Sequence, residues 1–118
     1  MEELKRRIRE EGIVLPGQVL KVDSFLNHQI DPMLSMAMGQ ELAHRFSDVE
    51  IDRVLTVEAS GIALGLAAAY ALHVPLVFAK KSQSVLMHED AYVADVYSYT
   101  KKVKNSILVL KKFLPPDE

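Results

Sequence analysis

Residues 53–79 read RVLTVEASGIALGLAAAYALHVPLVFA. Residues 53–57 are a short β-branched run and predict a strand. Glu58, Ala59, Ser60 and Gly61 follow as a tight connection. Residues 62–72 are rich in Ala and Leu, the best helix formers, and predict a helix. Residues 75–79 predict the next strand. Strand, short loop, helix and strand in that order make a βαβ unit, whose strands run parallel through a right-handed crossover. The same stretch imitates a membrane span. From Gly61 to Ala79 there is no Asp, Glu, Lys or Arg, and the run approaches the ~20 residues that a span requires. His73 and Pro75 interrupt it, and its end turns Val/Phe-rich. A buried helix followed by a buried strand accounts for both features.

Upstream, residues 2–11 predict a helix with Leu4 and Ile8 on one face and Gly12 placed to end it. Residues 14–26 are apolar with a turn at Pro16-Gly17, and residues 18–22 are extended. Asp31-Pro32 is a helix start: Asp caps the free amides, and Pro tolerates a first position whose N–H has no partner. Leu34, Met38, Leu42 and Phe46 recur every four residues and predict one buried stripe, ending near Ser47. Downstream, residues 80–90 are polar without a clear period and predict a mobile loop. Residues 92–100 and 107–110 predict strands with a turn at 101–105, an antiparallel hairpin. Pro115 and Pro116 stop regular structure.

A chain of 118 residues and 13.2 kDa predicts a single domain. Hydrophobic residues at 49% and charged residues at 25% are the mix of an ordinary globular chain and argue against wholesale disorder. Lys plus Arg number 14 and Asp plus Glu 16, a net charge of −2. That balance lacks the field of a general nucleic-acid binder, so no nucleic-acid partner is expected. The absence of Cys rules out disulfides, thiolate metal sites and a cysteine nucleophile. The same absence of Cys suits a cytoplasmic protein, and the densely charged N-terminus is not followed by the apolar segment of a signal peptide.

The strongest chemical signal is the loop at Glu58–Ile62. Between a parallel strand and a helix it gathers free backbone N–H groups and a positive dipole end at the carboxyl edge of the sheet, a natural seat for phosphate or pyrophosphate. It also reads as a plain βα turn. Lys80 and Lys81 end the second strand of the same unit and emerge at the same edge, either as anion ligands or as a solvated pair. Residues 18–32, QVLKVDSFLNHQIDP, mix apolar side chains with Asn27, His28 and Gln29. They could read the edge of a heterocycle, with Leu20 or Phe25 on its face, or simply cap a helix entry. His28, His44, His73 and His88 lack metal-ligand spacing, so no metal site is expected. Ser60 lacks the second Gly of a nucleophile elbow, and no hydrolase triad is supported.

The segments LKVDSFLNHQIDP (residues 20–32), EASGIA (58–63) and VFAKK (77–81) together are specific. On them the chain resembles the bacterial xanthine phosphoribosyltransferases, type I phosphoribosyltransferases of purine salvage. The likeness runs from the N-terminus through VYSYTK (96–101), and the end diverges from about Val103. The resemblance implies an α/β fold, a partial type I phosphoribosyltransferase fold: a parallel βαβ core with an N-terminal hood segment and an antiparallel flexible-loop hairpin. The hood would be 1–32, the core would begin at 33 and the lid would be 81–99.

The implied activity is transfer of a 5-phosphoribosyl group from phosphoribosyl pyrophosphate to xanthine, with Mg²⁺, by a cytoplasmic homodimer. Leu20 and Asn27 would contact xanthine. Ala59, Ser60 and Gly61 would hold pyrophosphate, with Lys80 or Lys81 neutralising it. Ser98 and Tyr99 would be the Ser-aromatic pair of the lid. No side chain is assigned as catalytic acid or base. The family's two adjacent acids, after a strand and before a Gly-containing loop, have no counterpart: Glu89-Asp90 falls in the lid and Asp117-Glu118 are the last two residues. The chain therefore resembles the N-terminal part of such an enzyme and is expected to be inactive alone. The alternative is a non-catalytic module that binds purine or pyrophosphate or dimerises.

Overall fold

The structure, a computed structural model, describes residues 1–82, 90–98 and 103–118. Its elements in chain order are α1 (Glu2–Glu11), β1 (Ile13–Leu15), β2 (Val19–Lys21), a π-helical turn (Asp23–Asn27), α2 (Pro32–Arg45), β3 (Val54–Val57), α3 (Gly61–Leu72), β4 (Leu76–Ser82), β5 (Ala91–Ser98), β6 (Val103–Leu110) and a short 3₁₀ turn (Lys111–Phe113). This is the expected α/β architecture. A four-stranded mixed sheet runs in the order β3-β4-β6-β5. β3 and β4 are parallel, with Val54 opposite Leu76 and Val57 opposite Ala79, so the βαβ unit forms as predicted. β5 and β6 make the antiparallel hairpin, with Ala91 opposite Leu110.

Two sequence expectations change. Lys80, Lys81 and Ser82 do not open a loop; they extend β4 and pair antiparallel with Leu108, Ile107 and Ser106 of β6. β6 accordingly starts at Val103, not at residue 107. The partner strand supplies hydrogen bonds that a local reading of polar residues cannot see. The charge-free run of residues 61–79 divides into α3 and part of β4, and among the described residues no helix is long and apolar enough to cross a membrane.

The largest buried side chains are Phe25, 0% exposed, and Leu34, 1% exposed. With Met38 they form a core against which Met1, Leu4, Ile8, Val22, Leu26 and Leu64 pack. The α2 stripe holds at Leu34 and Met38 and fails at its far end, where Phe46 is 50% exposed. α2 ends at Arg45, and Phe46 is its C-cap rather than a helical residue. Asp31 caps α2 as expected, accepting from the N–H groups of Met33 and Leu34 at 3.0 and 3.2 Å, with Pro32 at the first helical position. Its second oxygen meets Arg7 of α1 at 2.6 Å. The Arg7 guanidinium also lies 5.1 Å from the centre of the Phe25 ring. One ion pair thus ties α1 to the start of α2 above the core.

α3 lies close against α2. Ala67, Ala68 and Ala69 are buried on it, and a Cβ built on Gly39 of α2 would sit 2.4 Å from the Ala67 carbonyl carbon. The two helices can come this near only because Gly39 has no side chain. α3 ends at His73, which adopts a left-handed conformation at φ 59° while its N–H bonds back to Tyr70 at 3.3 Å. Charge-free and short, the helix is closed by its C-cap geometry.

Two outcomes follow from this packing. Gly39→Ala is expected to lower stability by about 1–3 kcal/mol, because α2 and α3 must separate; chemical denaturation measures it. The Arg7 guanidinium, then the Leu34 amide, hold the Asp31 carboxyl below its ordinary value. A depressed carboxylate contributes stability above its unfolded pKa, about 3.9, and loses that contribution as pH falls through the folded value. Asp31→Asn is therefore expected to melt below the wild type at pH 7, with the gap closing as melts are taken below about pH 4.

Candidate functional site

The parallel pair β3 and β4 delivers its carboxyl ends to one place. β3 runs into Glu58, and α3 starts three residues later with Ser60 as its N-cap. The Ser60 side chain makes no capping bond, so the first amides of α3 are not satisfied by the residue best placed to do so. The helix dipole adds partial positive charge at the same point. The turn is closed by the N–H of Ile62 donating to the Ala59 carbonyl at 3.2 Å, and the Glu58–Ala59 peptide is cis. Gly61 starts the helix directly over β3: a Cβ there would stand 2.3 Å from Oγ1 of Thr56.

A cavity of about 540 Å³ opens at this turn, lined by Thr56, Val57, Glu58, Ser60, Gly61, Lys81, Val96 and Ile107. The size suits a small phosphorylated ligand. Its charged members are Glu58 and Lys81. The Glu58 carboxylate accepts a hydrogen bond from the backbone N–H of Lys81, while the Glu58 N–H donates to the Ala79 carbonyl at 3.1 Å. Val96 and Ile107 come from the hairpin strands, so β5 and β6 supply the far wall.

Of the pyrophosphate candidates, Ser60, Gly61 and Lys81 meet in this cavity. Ala59 is exposed in the turn and is not among the lining residues. Lys80 lines a different cavity with Val77, Phe78, Leu108, Val109, Leu110 and Phe113. The reason is the strand: successive side chains point to opposite faces, so Lys81 shares a face with its partner Ile107 and Lys80 with Leu108. Leu20 lies in β2, opposite Val14 and exposed, and Asn27 ends the π-helical turn, also exposed. Neither lines the cavity at Ser60. Ser98 is the last residue of β5, opposite Val103. Tyr99 and residues 83–89 of the expected lid lie outside the described residues.

Sequence reasoning missed Thr56, Val96 and Ile107 as lining residues and gave Glu58 no role. The alternation of β3 could have marked Thr56 as facing the helix. Val96 and Ile107 depend on how the hairpin folds back over β4, which carries no local signal.

The chain matches no family model. Along all 118 residues it is similar to curated proteins named xanthine phosphoribosyltransferase. It is 57% identical to that of Lactiplantibacillus plantarum, 56% to that of Lactobacillus delbrueckii subsp. bulgaricus and 53% to that of Listeria monocytogenes. The whole chain is matched, and 60%, 62% and 62% of those relatives. The chain thus spans about three fifths of the length of the curated relatives it matches. The likeness does not stop at residue 101, as the motifs alone suggested, but continues to Glu118.

Solved structures of adenine phosphoribosyltransferases share the fold. The enzyme of Giardia lamblia complexed with 9-deazaadenine gives a TM-score of 0.67 at 23% identity, over 92% of this chain and 59% of that one. The Saccharomyces cerevisiae enzyme gives 0.66 at 20%, over 98% and 67%. The fold is part of that of the type I phosphoribosyltransferases, and the sequence is similar along its whole length to proteins named xanthine phosphoribosyltransferase.

Inorganic pyrophosphate is expected to bind at the Ser60 turn. By isothermal titration, Lys81→Ala should weaken it about tenfold, the worth of one charge-assisted contact. Lys80→Ala should leave it within about twofold, because its side chain serves the other face.

Proposed function

We propose that this chain carries the base-binding and pyrophosphate-binding portion of a xanthine phosphoribosyltransferase acting in purine salvage. The observation that supports this best is the cavity where the start of α3 (Ser60 and Gly61) faces Lys81, in a chain 57% identical along its length to a protein of that name. The reaction joins N9 of xanthine to C1 of the ribose of phosphoribosyl pyrophosphate. The C1–O bond breaks, its electron pair leaves with pyrophosphate, and the N9 proton is released. The product is xanthosine monophosphate.

Positive charge develops on the sugar and negative charge on the leaving group. Amides at Ala59, Ser60 and Gly61 and the Lys81 ammonium would stabilise that leaving charge by standing in place before it forms. Lys80 is the alternative cation, from a partner copy in a homodimer, and Lys80→Ala weakening pyrophosphate where Lys81→Ala does not would favour it. Leu20 and Asn27 of the hood, residues 1–32, would hold the xanthine ring. The lid, residues 81–99 with Ser98 and Tyr99, would exclude water. The remainder of catalysis is positioning. Mg²⁺ enters as the complex of phosphoribosyl pyrophosphate, that is, as part of the substrate. Among the described residues no three His, Asp or Glu side chains gather to hold a metal themselves. The compartment is the cytoplasm.

The sequence has no adjacent acids between a strand and a Gly-containing loop to grip the ribose hydroxyls. The 118 residues alone are therefore expected to bind without turning over. Purified chain given xanthine, phosphoribosyl pyrophosphate and Mg²⁺ should form no xanthosine monophosphate, while binding xanthine. Asn27→Ala should weaken that binding about tenfold, the worth of one lost hydrogen bond in a specific site. Product formation would show that other residues replace the acid pair. Unchanged xanthine binding in Asn27→Ala would remove Asn27 from the site.

A further inference from the structure

In a parallel ladder every second residue of a strand donates its N–H to one residue of the neighbour and accepts, through its carbonyl, from the residue two further along. Glu58, just past the end of β3, keeps the first half of this pattern: its N–H donates to the Ala79 carbonyl at 3.1 Å. The next rung would run from the Lys81 N–H to the Glu58 carbonyl. It runs instead to the Glu58 side chain. The backbone has already turned into the Ala59-Ser60-Gly61 connection, and the carboxylate takes the place that its own carbonyl has left. The ladder is thereby extended by one side chain into the cavity, and Lys81 is bonded to the residue that opens the loop.

This position is unexpected for an anion site. A carboxylate lining the same cavity as Ser60, Gly61 and Lys81 repels the guest that those groups attract. Its hydrogen bond to the chain beside Lys81 accounts for its presence. We propose that Glu58 is a positioning residue: it holds Lys81 opposite the start of α3 through the Lys81 amide, and so sets the separation between the cation and the loop amides. The proposal rests on the reading of this cavity as a pyrophosphate site, and it assigns no contact between Glu58 and the ligand.

Two substitutions separate the roles that Glu58 could have. Glu58→Gln keeps an acceptor for the Lys81 amide and removes the charge. Glu58→Ala removes both. Amide hydrogen exchange at Lys81 is read in the unliganded chain, and binding of inorganic pyrophosphate by isothermal titration. The expected result has three parts. Glu58→Ala speeds exchange at Lys81 about tenfold or more, weakens pyrophosphate about tenfold, and Glu58→Gln restores both to within about twofold of the wild type. Exchange at Lys81 unchanged in Glu58→Ala overturns the tie. Pyrophosphate bound equally well or better by Glu58→Ala overturns the positioning role and leaves only repulsion. Loss of Mg²⁺-dependent binding in Glu58→Gln, with Lys81 exchange normal, also overturns it, since the carboxylate would then serve a cation. If the wild-type chain binds no pyrophosphate, the reading of the cavity itself falls, and the proposal with it.

Discussion

The close seating of α3 is the constraint from which the site follows. On one side the helix touches α2, where Gly39 leaves room for the Ala67 backbone. On the other it touches β3, where Gly61 clears the Thr56 hydroxyl. Interiors are packed without slack, so a methyl group at Gly39, which would meet the Ala67 backbone, displaces the helix, whereas one at Gly61 would meet the Thr56 hydroxyl. The N-terminus of α3 is therefore aimed by contacts spread along its length. Its amides and dipole face the cavity because the helix has nowhere else to lie.

α1 depends on a different kind of contact. α1 is built from charged residues with few apolar ones; Leu4 and Ile8 pack on the core with Leu34 and Met38 of α2, and Arg7 adds an ion pair to the start of α2. Arg7 reaches Asp31, stacks on Phe25 and also meets Glu11. Asp31 meanwhile satisfies the first amides of α2. A single carboxylate thus completes a helix and fastens another element to it. Two partners on Asp31 hold it ionised more firmly than either would alone.

The βαβ unit, the cap at Asp31-Pro32 and the β5–β6 hairpin were legible in the sequence because each is a local pattern of propensity, capping and alternation. The separate roles of Lys80 and Lys81 were not. Two adjacent lysines look like one cationic patch until the pair is known to lie in a strand, and that strand continues only because β6 borders it. Phe46 has the right spacing for the stripe on α2, yet spacing says nothing about where α2 itself stops, and Phe46 falls on its C-cap. Glu58 was visible as a loop residue, but its bond to Lys81 arises from two strands meeting across 23 positions of sequence. The anion loop was legible as a chemical environment; the walls that make it a cavity were not.

The order β3-β4-β6-β5 also bears on how the chain reaches this state. β6 pairs with β4 and β5 at once. If β6 met β4 first, the whole of β5 would hang in the intervening chain as an open loop. With β5 and β6 already zipped, Ser106 travels with Asp95, and the length of chain closed on joining β4 is roughly halved. Each halving of a flexible loop recovers about 0.6 kcal/mol of closure entropy. The hairpin is thus the cheaper unit to form first, and it arrives at β4 as a two-stranded ribbon. Formed in that order, the wall of the cavity would assemble as one piece, bringing Val96 and Ile107 to the Ser60 turn together.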